Sequence, residues 1–571
     1  MNYRKTFFLI VLVGLVGSVV MWDHFKGVTT TRRVSQSKRI LNLDTKQVSH
    51  FELVCSNQPP IVLEKTGDQW DIKQPLAVRA DFGAVSSTLS ELEFAERSRT
   101  LTEQDLQGAS LADFGLAPPR ASIKLQTKSG LITLLIGNAT PTKSAVYVQV
   151  AGRREVCVAP PALYDRATPN LDTLRSRTAL EFTPAAVTRL ELKTADRVIE
   201  LKKNESHWTV VRPLAVRADQ DKISELLTGL TGLQIQDFVS DDPKDLHNYH
   251  LDEPDREVTV WTGEVGKTLL VGRSPTNAPG KVYAKLKNAD SIFTLDGEPA
   301  KKFAVQINDL RDPQVLAFEP AAVKSIAIGR GTDLIALQRD AAGWKLTAPV
   351  GAPADEAAVR RFLADLSGVR AKRFVADVTT DPQQYGLTRP AATVTLTGSG
   401  TNVLVQLLVG SEDVTNSLRF AKCTGEEFIY GIETNFPEQL PVNYSGLRSR
   451  FVFDLKAEQI TQLVAGPVTL ARAQGQWKLV PPAQGIVDVD AVNAMVALFA
   501  RLQADSFGRP KTELESAVGV ATTIRVTIGD ATHWLTVATN GQASASSVEL
   551  PFQLPASAVT TLLKPLLTTK P

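Results

Sequence analysis

The same pattern of apolar and polar positions returns four times along the chain: alternating stretches that end at a proline, apolar residues at helical spacing, then more alternating stretches. In the second occurrence, VIELKK from Val198 and HWTVVRP from His207 alternate as half-buried strands do. The proline ends the run because it has no N–H to give a ladder. An Asp six residues further on is placed to cap a helix, its carboxylate accepting from the free N–H groups of the first turn. Apolar residues four, eight and eleven positions beyond that Asp give one buried stripe per copy. The stripes are Val85, Leu89, Leu92; Ile223, Leu227, Leu230; Val359, Leu363, Leu366; and Val492, Val496, Phe499. Turn-then-strand openings (FTPAAVTRLEL from Phe182, FEPAAVKSIAI from Phe318) precede this core, and ASIKLQT, EVTVWTG, ATVTLTG and TIRVTIG follow it as strands. The predicted module is β-β-β-α-β-β-β with a closing helical segment, an α+β arrangement in which a helix covers one face of an antiparallel sheet.

Fixed landmarks set the repeat. Trp, Pro and Asp recur as Trp70/Pro75/Asp81, Trp208/Pro213/Asp219, Trp344/Pro349/Asp355 and Trp477/Pro482/Asp488, at steps of 138, 136 and 133 residues. A second landmark is Phe114-Gly-Leu116, Tyr249-His-Leu251, Tyr385-Gly-Leu387 and a weaker Val518-Gly-Val520. A third is an LLxG strand ending at Gly137, Gly272 and Gly410, and a fourth is Leu-Arg at Arg175, Arg311 and Arg448; copy four lacks both. The expected layout is an anchor (1–22), a polar linker (23–40) and modules at 41–178, 179–315, 316–450 and 451–571, the last divergent, forming an elongated array.

The start of the chain differs in kind. Thr6 to Trp22 is apolar or small throughout and follows Arg4 and Lys5. Seventeen residues rise about 25 Å as a helix, near the lower limit for a span, with Trp22 at the interface. A cleavable signal peptide ending at Val16-Gly-Ser18 is the rival reading, but the apolar run continues to Met21, which favours an uncleaved anchor. The basic residues Lys26, Arg32, Arg33, Lys38 and Arg39 beyond the span leave a charge count that does not fix orientation. The export pattern of a short basic start places the bulk outside the cytoplasmic membrane.

Composition narrows the chemistry. With 63 basic and 61 acidic residues the formal charge is +2, which gives no field to draw nucleic acid. Cys55, Cys157 and Cys423 have no C-x-x-C spacing, so zinc and redox motifs are not indicated; Cys55 and Cys157 share a module and either pair or stay as buried strand thiols. His247 and His250 are spaced i, i+3, but His250 stands where the other copies have Gly115, Gly386 and Gly519, which points to a positive-φ position rather than a metal ligand. No P-loop, Rossmann, HExxH or GxSxG string occurs. The repeated Asp reads as a helix cap, the repeated Trp as packing, and Arg175, Arg311 and Arg448 as ties between modules. No catalytic residue, cofactor, metal or small-molecule substrate is therefore expected.

The Trp-x4-Pro…Asp start, the Gly-Leu-x2-Pro middle and the LLxG strand resemble the uncharacterised bacterial family grouped as domain of unknown function 4340, over nearly all of residues 41–571. That resemblance implies membrane-anchored envelope proteins associated with gliding-type ABC transport systems; it supplies no catalytic residues. The expectation is a non-enzymatic, single-pass inner-membrane protein whose periplasmic bulk is scaffold or accessory to an ABC-type complex and binds protein partners. An envelope polymer or glycan-binding module is the alternative, and an unrecognised hydrolase a distant third.

Overall fold

The computed structural model describes residues 36–568 apart from 57, 107, 401 and 509–520. The predicted anchor (1–22), the first part of the linker (23–35) and the Val518-Gly-Val520 landmark lie outside the described residues. Among the described residues no helix is long and apolar enough to cross a membrane. The chain divides into two compact units, Met1–Arg311 and Asp312–Pro571.

The first module shows how the pattern becomes structure. Its strands are β1 (His50–Cys55), β2 (Ile61–Thr66), β3 (Gln69–Gln74), β4 (Val78–Arg79), β5 (Arg99–Leu101), β6 (Ala121–Thr127), β7 (Gly130–Ala139), β8 (Val146–Val150) and β9 (Val156–Ala159), with helix α1 (Phe82–Phe94) between β4 and β5. They form one antiparallel sheet in the order β4-β3-β2-β1-β6-β7-β8-β9-β5. Period-two alternation puts Phe51, Leu63, Trp70, Ile72, Ile123, Leu125, Leu134 and Ile136 on one face, each 3% exposed or less. Onto that face α1 lays Val85, Leu89 and Leu92. Each contributes about 2 kcal/mol through burial, and Leu92→Ala would cost about 3 kcal/mol through the cavity it leaves. Short helices at Ala162–Ala167 and Leu171–Leu174 close the module.

In the rest of the first unit the same nine-strand order runs from the edge Val216–Arg217 to the edge Ile235–Ser240, with helix Gln220–Thr231. In the second unit it runs from Ala352–Pro353 to Arg373–Ala376 with helix Glu356–Ser367. Among the described residues the last sheet has eight strands, from Gln476–Leu479 to Ser506–Phe507, with helix Val489–Ala500. There Ile486–Val487 leaves the sheet and pairs with Leu567–Thr568. Among the described residues four main cores result, bounded by Ile40 and Leu174, Ala179 and Leu310, Val315 and Leu447, and Val452 and Leu566, with a small further cluster of Leu251, Leu270 and Ile292.

The structure adds strands that the pattern does not predict. The β4-type edge lies inside the PLAVRAD string and spans two residues, and β5 spans three, both too short to show alternation. Cys55 in β1 and Cys157 in β9 are separated by β6, β7 and β8, four strand spacings or about 19 Å, and none of the three cysteines is in a disulfide. Burial pushes the Cys55 and Cys157 thiols up from their ordinary pKa, so neither is a ready thiolate near neutral pH.

Candidate interaction sites at the module junctions

The repeated Trp residues sit in the cores, with Trp70, Trp208, Trp344 and Trp477 all 7% exposed or less. Pro75, Pro213, Pro349 and Pro482 each follow a cis peptide bond. The repeated Asp is the N-cap of each module's helix: Asp81 accepts from the Ala84 N–H (2.6 Å), Asp219 from Asp221 and Lys222, Asp355 from Ala357 and Ala358, and Asp488 from Ala491 (2.9 Å). Its backbone does a second job. The N–H groups of Asp81, Asp219, Asp355 and Asp488 donate to the carbonyls of Leu174, Leu310, Leu447 and Leu566 at 2.8–2.9 Å. The Leu of the Leu-Arg landmark is thereby pinned to the helix start, and module four keeps this half of it as Leu566 although Leu567 replaces the arginine.

Inside the first unit the connector leaving Leu174 sews two sheet edges together. Arg175 pairs with Ala80, and the Ser176 N–H donates to the Arg79 carbonyl (3.0 Å). A few residues on, Thr178 pairs with Gln234, and the Ile235 N–H donates to the Arg177 carbonyl (2.7 Å). The Arg175 side chain, 2% exposed, crosses the same boundary. It donates to Asp172 at 3.2 Å and to Asp241 at 2.5 Å, and its guanidinium lies 4.5 Å from the centre of the Phe238 ring. Ser291 supports Asp241 with an O–H donated at 2.8 Å. Beside this tie lies a cavity of about 320 Å³ lined by Val78, Arg79, Arg175, Ile235, Phe238 and Phe293, with Lys267 and Glu181 also in its lining. Arg79 bonds Asp71 (2.8 Å) and approaches Glu181 (3.7 Å), while Lys267 donates to the Glu181 carbonyl (2.6 Å). Shape and apolar lining suit a small-molecule or side-chain pocket; the charges around it are largely paired.

Inside the second unit the connector repeats the stitching. Arg448 pairs with Ala354, and the Ser449 N–H reaches the Pro353 carbonyl (2.9 Å). Phe451 pairs with Gln503, and the Val452 N–H reaches the Leu502 carbonyl (2.7 Å). Arg448, 6% exposed, lies 3.4 Å over the Phe507 ring. Burial pulls its pKa down, and the Tyr444 hydroxyl beside it opposes that shift. At the third position, Arg311 is 3% exposed, pairs with Ala218 and donates to Asn308 at 3.3 Å.

The Gly-Leu and LLxG landmarks explain each other. A Cβ added at Gly137, Gly272 or Gly410 would strike the carbonyl oxygen of Phe114, Tyr249 or Tyr385, so the strand stays bare where that turn crosses it. The turns need left-handed backbone at Gly115, His250 and Gly386 (φ 64°, 52° and 67°). Each aromatic then meets a second ring edge-on: Phe114 with Tyr147, Tyr249 with Tyr283, Tyr385 with Phe420, at 4.9–5.0 Å. His247 bonds Asp252 at 3.0 Å, which raises the imidazole pKa, and the two histidine rings stand 6.1 Å apart. Among the described residues no group of three or more His, Cys, Asp or Glu is placed to hold a metal ion.

Phe238, Asp241 and Phe507 are the functional positions that sequence reasoning missed. The signal was present: Phe238, Phe374 and Phe507 each stand thirty residues after the repeated Trp, where module one has Thr100. Only modules preceded by another module carry the phenylalanine.

The family model described as Domain of unknown function (DUF4340) matches residues 70–209, 208–344 and 344–521, each match beginning at a repeated Trp. No curated protein matches the chain. Among solved structures, the DnaN sliding clamp of Pseudomonas aeruginosa bound to griselimycin aligns at 8% identity over 70% of this chain and 95% of its own, with a TM-score of 0.10. The clamp of Bartonella birtlesii LL-WM9 aligns at 9% over 69% and 92%, with a TM-score of 0.11. Scores this low carry no argument.

Proposed function

The chain belongs to the DUF4340 family, and from that premise we propose that it is a membrane-tethered, extracytoplasmic scaffold or accessory protein of an ABC-type envelope complex. The supporting observation is where the chain's regular polar residues go. Asp81, Asp219, Asp355 and Asp488 cap helices, and Arg175 and Arg448 lie buried where one sheet is stitched to the next. A protein whose regular carboxylates fix helix starts and whose buried arginines sit where neighbouring modules join is suited to presenting surfaces to partners. The tether in this reading is a transmembrane helix at Thr6–Trp22, inferred from its apolar run. The cavity beside Arg175 offers a partner side chain a mostly apolar seat with polar groups in its lining.

Crosslinking of the intact chain in native membranes, followed by identification of the captured proteins, tests this. Recovery of ABC permease or ATPase subunits supports the reading; recovery of the chain alone contradicts it. A second reading, binding of an envelope glycan, is favoured by Trp534. It is 39% exposed on the sheet face away from the helix, opposite Arg525 on the neighbouring strand. An aromatic face beside a cation is sugar-stacking chemistry, and loss of polymer pull-down in Trp534→Ala would support it.

A further inference from the structure

Arg448 stands in the same place as Arg175 by three separate criteria. Each follows a leucine whose carbonyl accepts from the helix-capping Asp, each pairs its backbone with the alanine before that Asp, and each lies over the phenylalanine thirty residues after a repeated Trp. What differs is the charge opposite. Arg175 bonds the carboxylates of Asp172 and Asp241. In sequence Ser445 is the counterpart of Asp172, and Pro510, which lies outside the described residues, is as far beyond Trp477 as Asp241 is beyond Trp208. Among the described residues no carboxylate lies within ion-pair distance of Arg448, and its Nη1 is buried with no hydrogen-bond partner. A guanidinium does not shed its proton to relieve this, and a buried ionised group without a counter-charge is strongly disfavoured. The edge strand that delivers Asp241 at the first junction, Ile235–Ser240, is cut to Ser506–Phe507 at this one.

We propose that Arg448 receives a carboxylate supplied from outside the chain, entering as Asp241 does at the first junction. Asp241 shows the route: its side chain is 36% exposed while that of its arginine is 2%, so the acid approaches from solvent and reaches an otherwise covered guanidinium. Phe507 stacks on the guanidinium, and the buried Nη1, which has no hydrogen-bond partner, supplies the donor. The ligand class is a carboxylate, carried by a small organic acid or by an acidic residue of a partner polypeptide. The inference stands whether or not the envelope-complex reading does.

Hydrogen–deuterium exchange of the full chain, read at the junction amides Ser449, Val452 and Ala504, tests it. Sodium acetate is compared with sodium chloride at equal ionic strength, and the peptide acetyl-Gly-Asp-Gly-amide with its Asn counterpart. Acetate or the Asp peptide slows exchange there about tenfold at saturation, the worth of one charge-assisted hydrogen bond. A response to both assigns any accessible carboxylate, and a response to the peptide alone assigns a polypeptide source. Ser445→Asp, which restores the counterpart of Asp172, shows the slow exchange without ligand and no further response, and Arg448→Met shows no response. The proposal fails if wild type does not distinguish acetate or the Asp peptide from its control, or if the response survives in Arg448→Met. It fails equally if Glu513→Gln with Glu515→Gln speeds exchange at these amides in chloride, since the chain would then supply its own carboxylate.

Discussion

The junctions inside the two units share a backbone plan and differ in charge. At the first, Arg175 sits between Asp172 and Asp241 above Phe238; at the second, Arg448 sits above Phe507 with no carboxylate within reach among the described residues. The stitching of connector to sheet edges is the same in both, so the carboxylate pair is not needed to direct the chain. The two sites separate what the guanidinium contributes by stacking from what it contributes by pairing. Stacking on a ring is worth about 0.5–2 kcal/mol, whereas pairing decides whether a buried charge is tolerated at all.

Substitutions that break this contrast rank by how much unpaired charge they leave. Asp241→Ala strands a guanidinium that is 2% exposed with only the half-exposed Asp172 for company, and calorimetry of the full chain should show a loss of about 2–3 kcal/mol. Arg175→Met removes the charge but fills the space, leaving solvated carboxylates behind, and should cost about 1 kcal/mol. Phe238→Leu keeps the ion pairs and forfeits the ring, at about 0.5–1 kcal/mol. Arg448→Met, measured without carboxylate in the buffer, should be neutral or stabilising by about 1 kcal/mol, because it removes a buried charge with no carboxylate partner among the described residues. A large loss there would mean the second junction is paired after all.

How far these features could be read from sequence depends on whether their cause is local. The capping Asp and the buried stripe, such as Val359, Leu363 and Leu366, are consequences of helical geometry, and each lies where the spacing puts it. His250 was readable as a left-handed residue because glycine holds that place in other copies, and its φ is 52°. The bareness of Gly137 was visible as a landmark, but its cause was not, since the carbonyl that forbids a Cβ belongs to Phe114 across a turn. The two-residue strand Val78–Arg79 gave no periodicity, because its ladder comes from β3. The role of Asp241 was hidden most completely. It lies sixty-six residues from Arg175, and only the pairing of the connector with Ile235 brings the two together.

The boundary arginine of the first unit works as a tie through its partner acid. A double-mutant cycle of Arg175→Met and Asp241→Ala, with unfolding free energies of the full chain, measures that coupling directly. The expected coupling is about 1–2 kcal/mol, reduced from the buried-pair range because Asp241 is 36% exposed. Losses that simply add, within about 0.3 kcal/mol, would contradict it.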